Sequence, residues 1–412
     1  MDNSAPPLSP HSLWLHGPFA RFLYVRVATS IAWQMQAVAV GWQMYALTGS
    51  SFQLGLVGLV QFIPAVALFL PTGHAADRYD RRTVTATAQA VEAVAVAVLA
   101  ACLAMGQLTP TVVLAMAFIA AAGRAFEQPS LQSVLTNIVP PTILPRAIAA
   151  SNSASQTAVV AGPALGGVLL AIDPAIAFAV SAVLWLSAAL VMLGIAMERT
   201  PPRREPFDLK TMFSGVAFIG RQKVVLGAIL LDLFAVVLGN PTALLPIFAS
   251  DIFKSGPLGF GALRAAPAAG AIISALILTR HPISRRVGQA IFASVATYGL
   301  CTILLALSPI SMLAMAALFV LGAADLVSVV IRQTLVQLHT PDEMRGRVFA
   351  VNSMFTSTSN QLGTFRAGSA AALFGVIPAV LLGGVSTIAV VLISAGVFRE
   401  LLRAEGYEPV ES

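Results

Sequence analysis

The chain has 412 residues, of which 57% are hydrophobic and only 10% charged, with a formal net charge of +6. A soluble domain carries about a quarter charged residues, so this composition excludes a water-exposed fold and makes lipid the solvent. At roughly 20 residues per spanning helix, the length admits about a dozen spans and leaves no room for a sizeable soluble domain.

The N-terminal stretch to Phe22 has no charged start, short apolar core and cleavage site in succession, so the first hydrophobic helix is expected to be retained. Apolar runs bounded by Gly, Pro and charge clusters predict helices at about 20–47, 53–72, 83–105, 110–137, 147–171, 174–196, 224–249, 258–279, 288–307, 309–336, 348–373 and 376–397. The two cysteines, Cys102 and Cys301, fall inside these runs, where neither a disulfide framework nor a metal-ligand spacing can be read. No metal or cofactor is expected.

Eighteen of the 24 Lys and Arg residues fall at one set of loops and termini, including the clusters Arg78/Arg81/Arg82 and Arg280/Arg285/Arg286. Only Lys254 falls on the opposite side, and Arg26, Arg124, Arg264, Arg332 and Arg366 lie within the spans. Loop Lys and Arg set topology, so both termini and the basic loops are assigned to the cytoplasm. The positive charge is then an orientation signal, and with no aromatic-interleaved basic groove no nucleic-acid partner is expected.

Residues 198–223 form the longest polar connection and divide the chain into six-helix bundles at 1–197 and 224–412. The second part of this linker suits an amphipathic helix lying on the inner membrane surface. The halves also repeat one another. Leu54-Gly55 aligns with Leu258-Gly259, and Pro64 falls within one residue of Pro267; Leu135, Pro141 and Asn152-Ser153 align with Leu335, Pro341 and Asn352-Ser353. Duplicated bundles of the same topology predict a pseudo-twofold along the membrane normal and a cavity between halves that rock to alternate access.

After the second span, Gly73 is followed by Asp77-Arg78 and then Asp80-Arg81-Arg82. A carboxylate and three guanidiniums in one tight turn suit a salt-bridge latch that forms in one conformer and breaks in another. In the fifth span Gly162, Gly166 and Gly167 clear side chains along one helix stripe and Pro163 frees a carbonyl, which suits close packing between the halves. The first motif resembles the loop signature GxxxDRxGRR of the major facilitator superfamily, with Asp80 in place of its second Gly. The second resembles the GxxxGPxxGG pattern of the exporting, antiporter branch, with Ala158 at its first position. Leu231-Asp232, Asn240-Pro241, Ala262-Leu263-Arg264, Arg332-Gln333-Thr334 and Arg345-Gly346-Arg347 extend the resemblance to the enterobactin-exporter-like group, over nearly the whole chain. Thr364 and Arg366 stand where that group often carries an acid. The resemblance implies an all-α membrane protein of twelve transmembrane helices in two bundles. It also implies a monomer of the bacterial inner membrane that uses protons to export a siderophore, drug or other small molecule.

Charged groups inside a membrane are costly, so each should face the cavity, pair, or change protonation. Glu127 follows Arg124 by three residues and Asp325 precedes Arg332 by seven, so each pair shares a helix face and suits either a static ion pair or a coupling role. Asp232 has no basic residue at i±3 or i±4 and is the first choice for a proton-binding carboxylate, whereas Glu92, on a peripheral third span, suits a structural role. Arg26, Trp33, Gln34, Gln36 and Asn240 are candidates for the cavity wall, with Phe234. Arg264 and Arg366, in the outer half, suit either an anionic substrate or snorkelling to the surface.

An importer on the same fold is the alternative, with the Gly162-Pro163 stripe as the discriminating feature. A membrane-embedded enzyme is the remote one, since His11, His16, His74, His281 and His339 all lie outside the spans.

Overall fold

A computed structural model describes residues 17–140, 142–197 and 209–407. Among the described residues the regular elements are helical, and each of the twelve predicted segments is a helix or a broken helix. The first six segments are α1 (Gly17–Thr48), α2 (Ser51–Ala67) continued by α3 (Phe69–Arg78), α4 (Arg81–Ala104), α5 (Pro110–Ile138), α6 (Leu144–Ile172) and α7 (Pro174–Leu193). The linker carries α8 (Leu209–Arg221), and α9 (Lys223–Gly239) opens the second half. There follow the single turn α10 (Leu245–Ile247), α11 (Gly256–Arg280), α12 (Val287–Leu307), α13 (Ser311–Leu338), α14 (Asp342–Phe374), α15 (Val376–Val397) and the short α16 (Arg399–Leu402).

Local chemistry sets the turns. Gly49 takes a positive φ between α1 and α2, and Ser50 then accepts from the Gln53 N–H; Thr109 and Asp173 cap α5 and α7 in the same way, with Pro110 and Pro174 at the first helical position. Two spans are broken. Pro64 lies one turn before the break at Leu68. The seventh span stops at Gly239 and continues through a 3₁₀ turn (Thr242–Leu244), α10 and a π-helical turn (Phe248–Ile252).

Nine segments among the described residues are long and apolar enough to cross a membrane. Of the other three, α2 is an apolar helix of 17 residues cut short by the break at Leu68, and α1 and α14 are long helices interrupted by polar residues. In the first half α4 packs on α5 and α7 and α1 on α6 and α7; the second half repeats this with α12 on α13 and α15 and with α9 on α15. The halves meet along α2–α14 and α6–α11. The duplication relates α2 to α11 and α6 to α14, so the pseudo-twofold exchanges the two contacts, and the repeated pairs Leu54-Gly55, Leu258-Gly259, Asn152-Ser153 and Asn352-Ser353 fall on the four helices that make them.

The two ends of the bundle differ. At the end far from the linker, one apolar cluster unites both halves, with Val40, Met44 and Leu54 from the first and Phe248, Phe260 and Leu263 from the second. Here the backbones touch: a Cβ on Gly167 would lie 2.8 Å from the Gly261 Cα, and one on Gly55 would lie 3.0 Å from the Gly368 Cα. Toward the linker end the halves keep separate clusters, around Phe19, Leu131 and Val134 in one and Leu231, Ile291 and Leu335 in the other. Asn152, Ser153, Gln156 and Thr157 of α6 and Ser353, Ser357 and Asn360 of α14 are exposed there. Such polar rows are not tolerated against hydrocarbon, so they line a water-filled cleft that is open at the linker end.

The linker helix does not lie free on the surface. Ile219 packs with Val225, Val348 and Val351, and Arg347 donates to the Ser214 hydroxyl at 3.4 Å, which binds α8 to α14.

Candidate functional site

At the head of the cleft lies a cavity of about 180 Å³ lined by Trp33, Gln36, Gln61, Asn240, Phe260, Arg264, Gln361 and Thr364, among others. The broken seventh span supplies Asn240 directly: with α9 ended at Gly239, the Asn240 carboxamide oxygen accepts from the Thr242 N–H at 3.0 Å and its hydroxyl at 2.7 Å. Gln36 accepts from the Trp185 indole N–H at 3.3 Å. Of the predicted wall residues, Trp33, Gln36, Asn240 and Arg264 are in place.

The remaining candidates lie elsewhere. Gln34 donates to the Val159 carbonyl at 3.4 Å and so joins α1 to α6. Arg366 donates to the Val237 carbonyl at 3.2 Å, which holds α14 to the end of α9. Phe234 on α9 is 46% exposed and is not among the residues that line the cavity. Arg26 lies seven residues before Trp33 on the same face of α1, nearer the open end and within electrostatic reach of Arg124 and Glu127.

Behind Trp33 is a buried charge cluster. The Arg124 guanidinium carbon lies 5.0 Å from the Trp33 ring centre and 6.0 Å from that of Trp185, an arrangement that stabilises a cation without water. Arg124 is ion-paired to Glu127, which also accepts from Gln89 at 3.1 Å. Glu92 belongs to this cluster and is not peripheral: it is fully buried, and both its carboxylate oxygens lack hydrogen-bond partners among the described residues. Gly123 makes room for it, since a Cβ there would lie 2.9 Å from the Glu92 Cγ.

The second half holds a corresponding cluster, and here the sequence reading needs correction. Asp232 is not unpaired. Its carboxylate lies 3.3 Å from the Arg332 guanidinium, which also donates to Asn352 at 2.5 Å and Thr356 at 3.4 Å on α14. Arg332 therefore pairs with Asp232 of another helix, not with Asp325 of its own. Asp325 instead faces Asp232 across a void of about 10 Å³, lined also by Ser294, Tyr298 and Ser328 and large enough for about one water.

The glycine stripe divides its work. Gly162 and Gly166 pack on Gln34 and Met35 of α1 within the first half, and only Gly167, with the Pro163 carbonyl, reaches Gly261 of the second. In the latch turn, Asp80 accepts from the Arg82 N–H at 2.9 Å and Arg82 donates to the Ile195 carbonyl at the end of α7. Gly73 has open space around it and Arg78 is exposed, Arg81 heads α4, and the Asp77 side chain lies outside the described residues.

A contact with no sequence forecast closes the far end. The Tyr45 hydroxyl donates to Asp251 at 2.5 Å, and Ser250 donates to the other carboxylate oxygen, so α1 is tied to the π-helical turn of the opposite half. Beside it Trp42 stacks on Phe260 at 5.9 Å between centroids. Tyr45→Phe is expected to open this end by about 1 kcal/mol, roughly fivefold in the equilibrium. The check is the labelling rate of a cysteine placed at Gly41 in a cysteine-free background, and an unchanged rate would show that the bond plays no part in closure.

Two pseudo-symmetric helical bundles around a central cavity, with buried ion pairs in its walls, define a membrane transporter of the major facilitator type. The chain belongs to the family of transmembrane secretion effectors, which it matches over residues 8–407. It is 24% identical over 378 residues to macrolide efflux protein A of Streptococcus pyogenes, covering 90% of this chain and 92% of the relative. It is 27% identical over 373 residues to the multidrug efflux pump Tap of Mycobacterium tuberculosis, covering 85% and 86%. Among solved structures, a mutant of the nucleoside transporter NupG superposes with a TM-score of 0.75 at 14% identity, covering 92% of this chain and 99% of that one. A bacterial homologue of the human lysosomal transporter Spinster gives 0.72 at 15% identity, covering 97% and 98%. At such identities these two likenesses establish the fold alone.

Proposed function

We propose that the chain is a proton-coupled exporter of a small molecule, working by alternating access between residues 1–197 and 224–412. It acts as a monomer in the bacterial inner membrane, with both termini cytoplasmic. The observation that carries this reading is the pair of buried acid–arginine clusters, each built into a wall of a cavity that is shut at one end and open at the other. The names of the macrolide and multidrug efflux relatives support export, and the excess of Arg and Lys at the linker end supports placing that end, and so the open cleft, toward the cytoplasm. The resemblance to the enterobactin-exporter-like group keeps siderophores within the range of substrates.

In this scheme substrate enters the open cleft and rests against Trp33, Gln36 and Asn240. A proton arriving at Asp232, relayed through Asp325 and one water, cancels the charge that holds Arg332. Arg332 also grips Asn352 and Thr356, so its release acts on α14, the helix that carries Gln361 and Thr364 into the cavity and crosses α2 at the closed end. Glu127, with Arg124 and Glu92, serves the first half in the same way through Trp33. The latch of Gly73, Asp77, Arg78, Arg81 and Arg82 forms when the linker end closes.

The test is transport in proteoliposomes of defined orientation, with drug accumulation measured in cells that lack or overproduce the protein. An imposed proton gradient should drive substrate against its own gradient, and overproduction should lower the cellular level. Asp325→Asn should reduce gradient-driven transport at least tenfold while exchange of substrate down its gradient persists. Accumulation that rises with overproduction would overturn export, and undiminished gradient-driven transport in the variant would remove Asp325 from the proton path.

A further inference from the structure

Of the five arginines inside the spans, three are answered by their surroundings, and of the other two, Arg26 and Arg264, Arg264 is the one among the described residues that lines the central cavity. Arg124 has Glu127, Arg332 has Asp232 and Asn352, and Arg366 has the Val237 carbonyl. Arg264, on α11, lines the central cavity and makes neither a hydrogen bond nor an ion pair among the described residues. A guanidinium withdrawn from bulk water is costly to hold without an oxygen partner, and its planar fork fits carboxylate geometry. No Asp or Glu is among the described residues that line the cavity. Glu92 and Glu127 sit behind Trp33, Asp232 is turned to Arg332, and Asp251 is held by Tyr45 and Ser250.

Two of the neutral polar groups point the same way. The Asn240 carboxamide oxygen is taken up by Thr242 and that of Gln36 by Trp185, so each amide has its NH₂ left to offer. Asn360, whose NH₂ is taken up by the Thr356 carbonyl, adds an acceptor oxygen to the opposite wall, so the donors gather on the Arg264, Asn240 and Gln36 side of a cavity that holds a cation and no acid among its described lining residues. The aromatic rings of Trp33, one turn from Gln36 on α1, and Phe260, one turn from Arg264 on α11, line the same space. Arg26, on the face of α1 that leads from the open end toward Trp33, adds a second cation along the approach.

We propose that the central cavity recognises a small organic anion, with its carboxylate or equivalent oxyanion on Arg264, Asn240 and Gln36 and its apolar or aromatic body against Trp33 and Phe260. At about 180 Å³ the enclosed part is below the roughly 300–1,000 Å³ of common drug sites, which favours a compact acid over a large drug. The inference rests on the transporter reading for its purpose, and the binding it describes can be measured without transport.

The experiment titrates the purified full-length protein in nanodiscs with three probes of one shape and different charge: 2-naphthoate, 2-naphthamide and 2-naphthylmethylammonium. Calorimetry reads affinity. Naphthoate should bind at least tenfold more tightly than either of the others, and Arg264→Gln should reduce that preference to less than threefold. Arg264→Lys, which keeps the charge and loses the fork, should bind naphthoate three- to tenfold more weakly than wild type; it also covers the case in which the glutamine variant fails to fold. A wild-type protein that prefers the cation, shows no preference or binds none of the three overturns the proposal, as does a preference that survives in the glutamine variant. Proton-driven efflux, assayed in parallel, separates the two readings. Anion preference without efflux would sink the exporter alone, and efflux with cation preference would sink this assignment alone.

Discussion

Replacing Gly167 by leucine is expected to reduce transport sharply while leaving both halves folded. Even a single added carbon would lie 2.8 Å from the Gly261 Cα and 2.9 Å from the Pro257 carbonyl oxygen, and neither backbone atom can turn aside as a flexible side chain would. The far end then cannot shut. Overpacking of this kind costs about 1–3 kcal/mol, and at a two-state crossing that is roughly 5–150-fold in the population of the closed-far-end form. Transport should fall at least about fivefold by the same reasoning, and a cysteine at Gly41 should become freely labelled from the far side. Two controls bracket the effect. Gly396, with open space around it, should accept leucine silently; Gly166, packed on Met35 of its own half, should lose thermal stability when replaced. Normal transport by the Gly167 variant would mean that α6 and α11 do not need to meet.

The second large effect concerns the buried pair in the other wall. Arg332→Gln leaves the Asp232 carboxylate, only 6% exposed, without its counter-charge, at a cost of about 3–5 kcal/mol. The melting temperature should drop markedly. Adding Asp232→Asn removes the stranded charge, and the double variant should regain most of the lost stability, because an uncharged pair of similar shape can still bond to Asn352. Coupling should not return with it. Substrate movement in the double variant should follow the substrate gradient and ignore an imposed pH gradient. A single variant as stable as wild type would show that the pair bears no strain, and a double variant that responds to pH would place the proton on another acid.

The spans were legible because lipid leaves the backbone few choices: apolar runs of about 20 residues must be helices. The repeat also carried more than topology, since its two blocks, around Gly55 and Asn152 and their counterparts, lie on the helices that join the halves. What escaped the sequence were contacts between helices far apart in the chain. Asp232 looked unpaired because an i±3 or i±4 search sees one helix, while its partner lies 100 residues on, on α13. Glu92 was given a structural role because its span was read as peripheral, and its place beside Arg124 and Glu127 depends on a glycine of another helix, α5. Gly123, next to Arg124, was the available signal, since a glycine beside a buried charge often marks a place where another side chain enters. Tyr45 and Asp251 are ordinary loop-proximal residues by composition, and only the π-helical turn brings the carboxylate within reach of α1.

Trp33 belongs to two structures at once, with one side in the cavity wall and its ring against the Arg124 cation. Selection for a new substrate acting on this residue would therefore alter the energetics of the Arg124–Glu127 pair as well. Variants at Trp33 that broaden specificity should carry a shifted pH optimum as an unavoidable companion trait. Changes at Gln61, on α2, which carries no charged residue and none of the Arg332 contacts, would let the substrate range drift while the energy supply stays constant. The protein thus has one wall on which specificity and drive evolve together and another on which they can part.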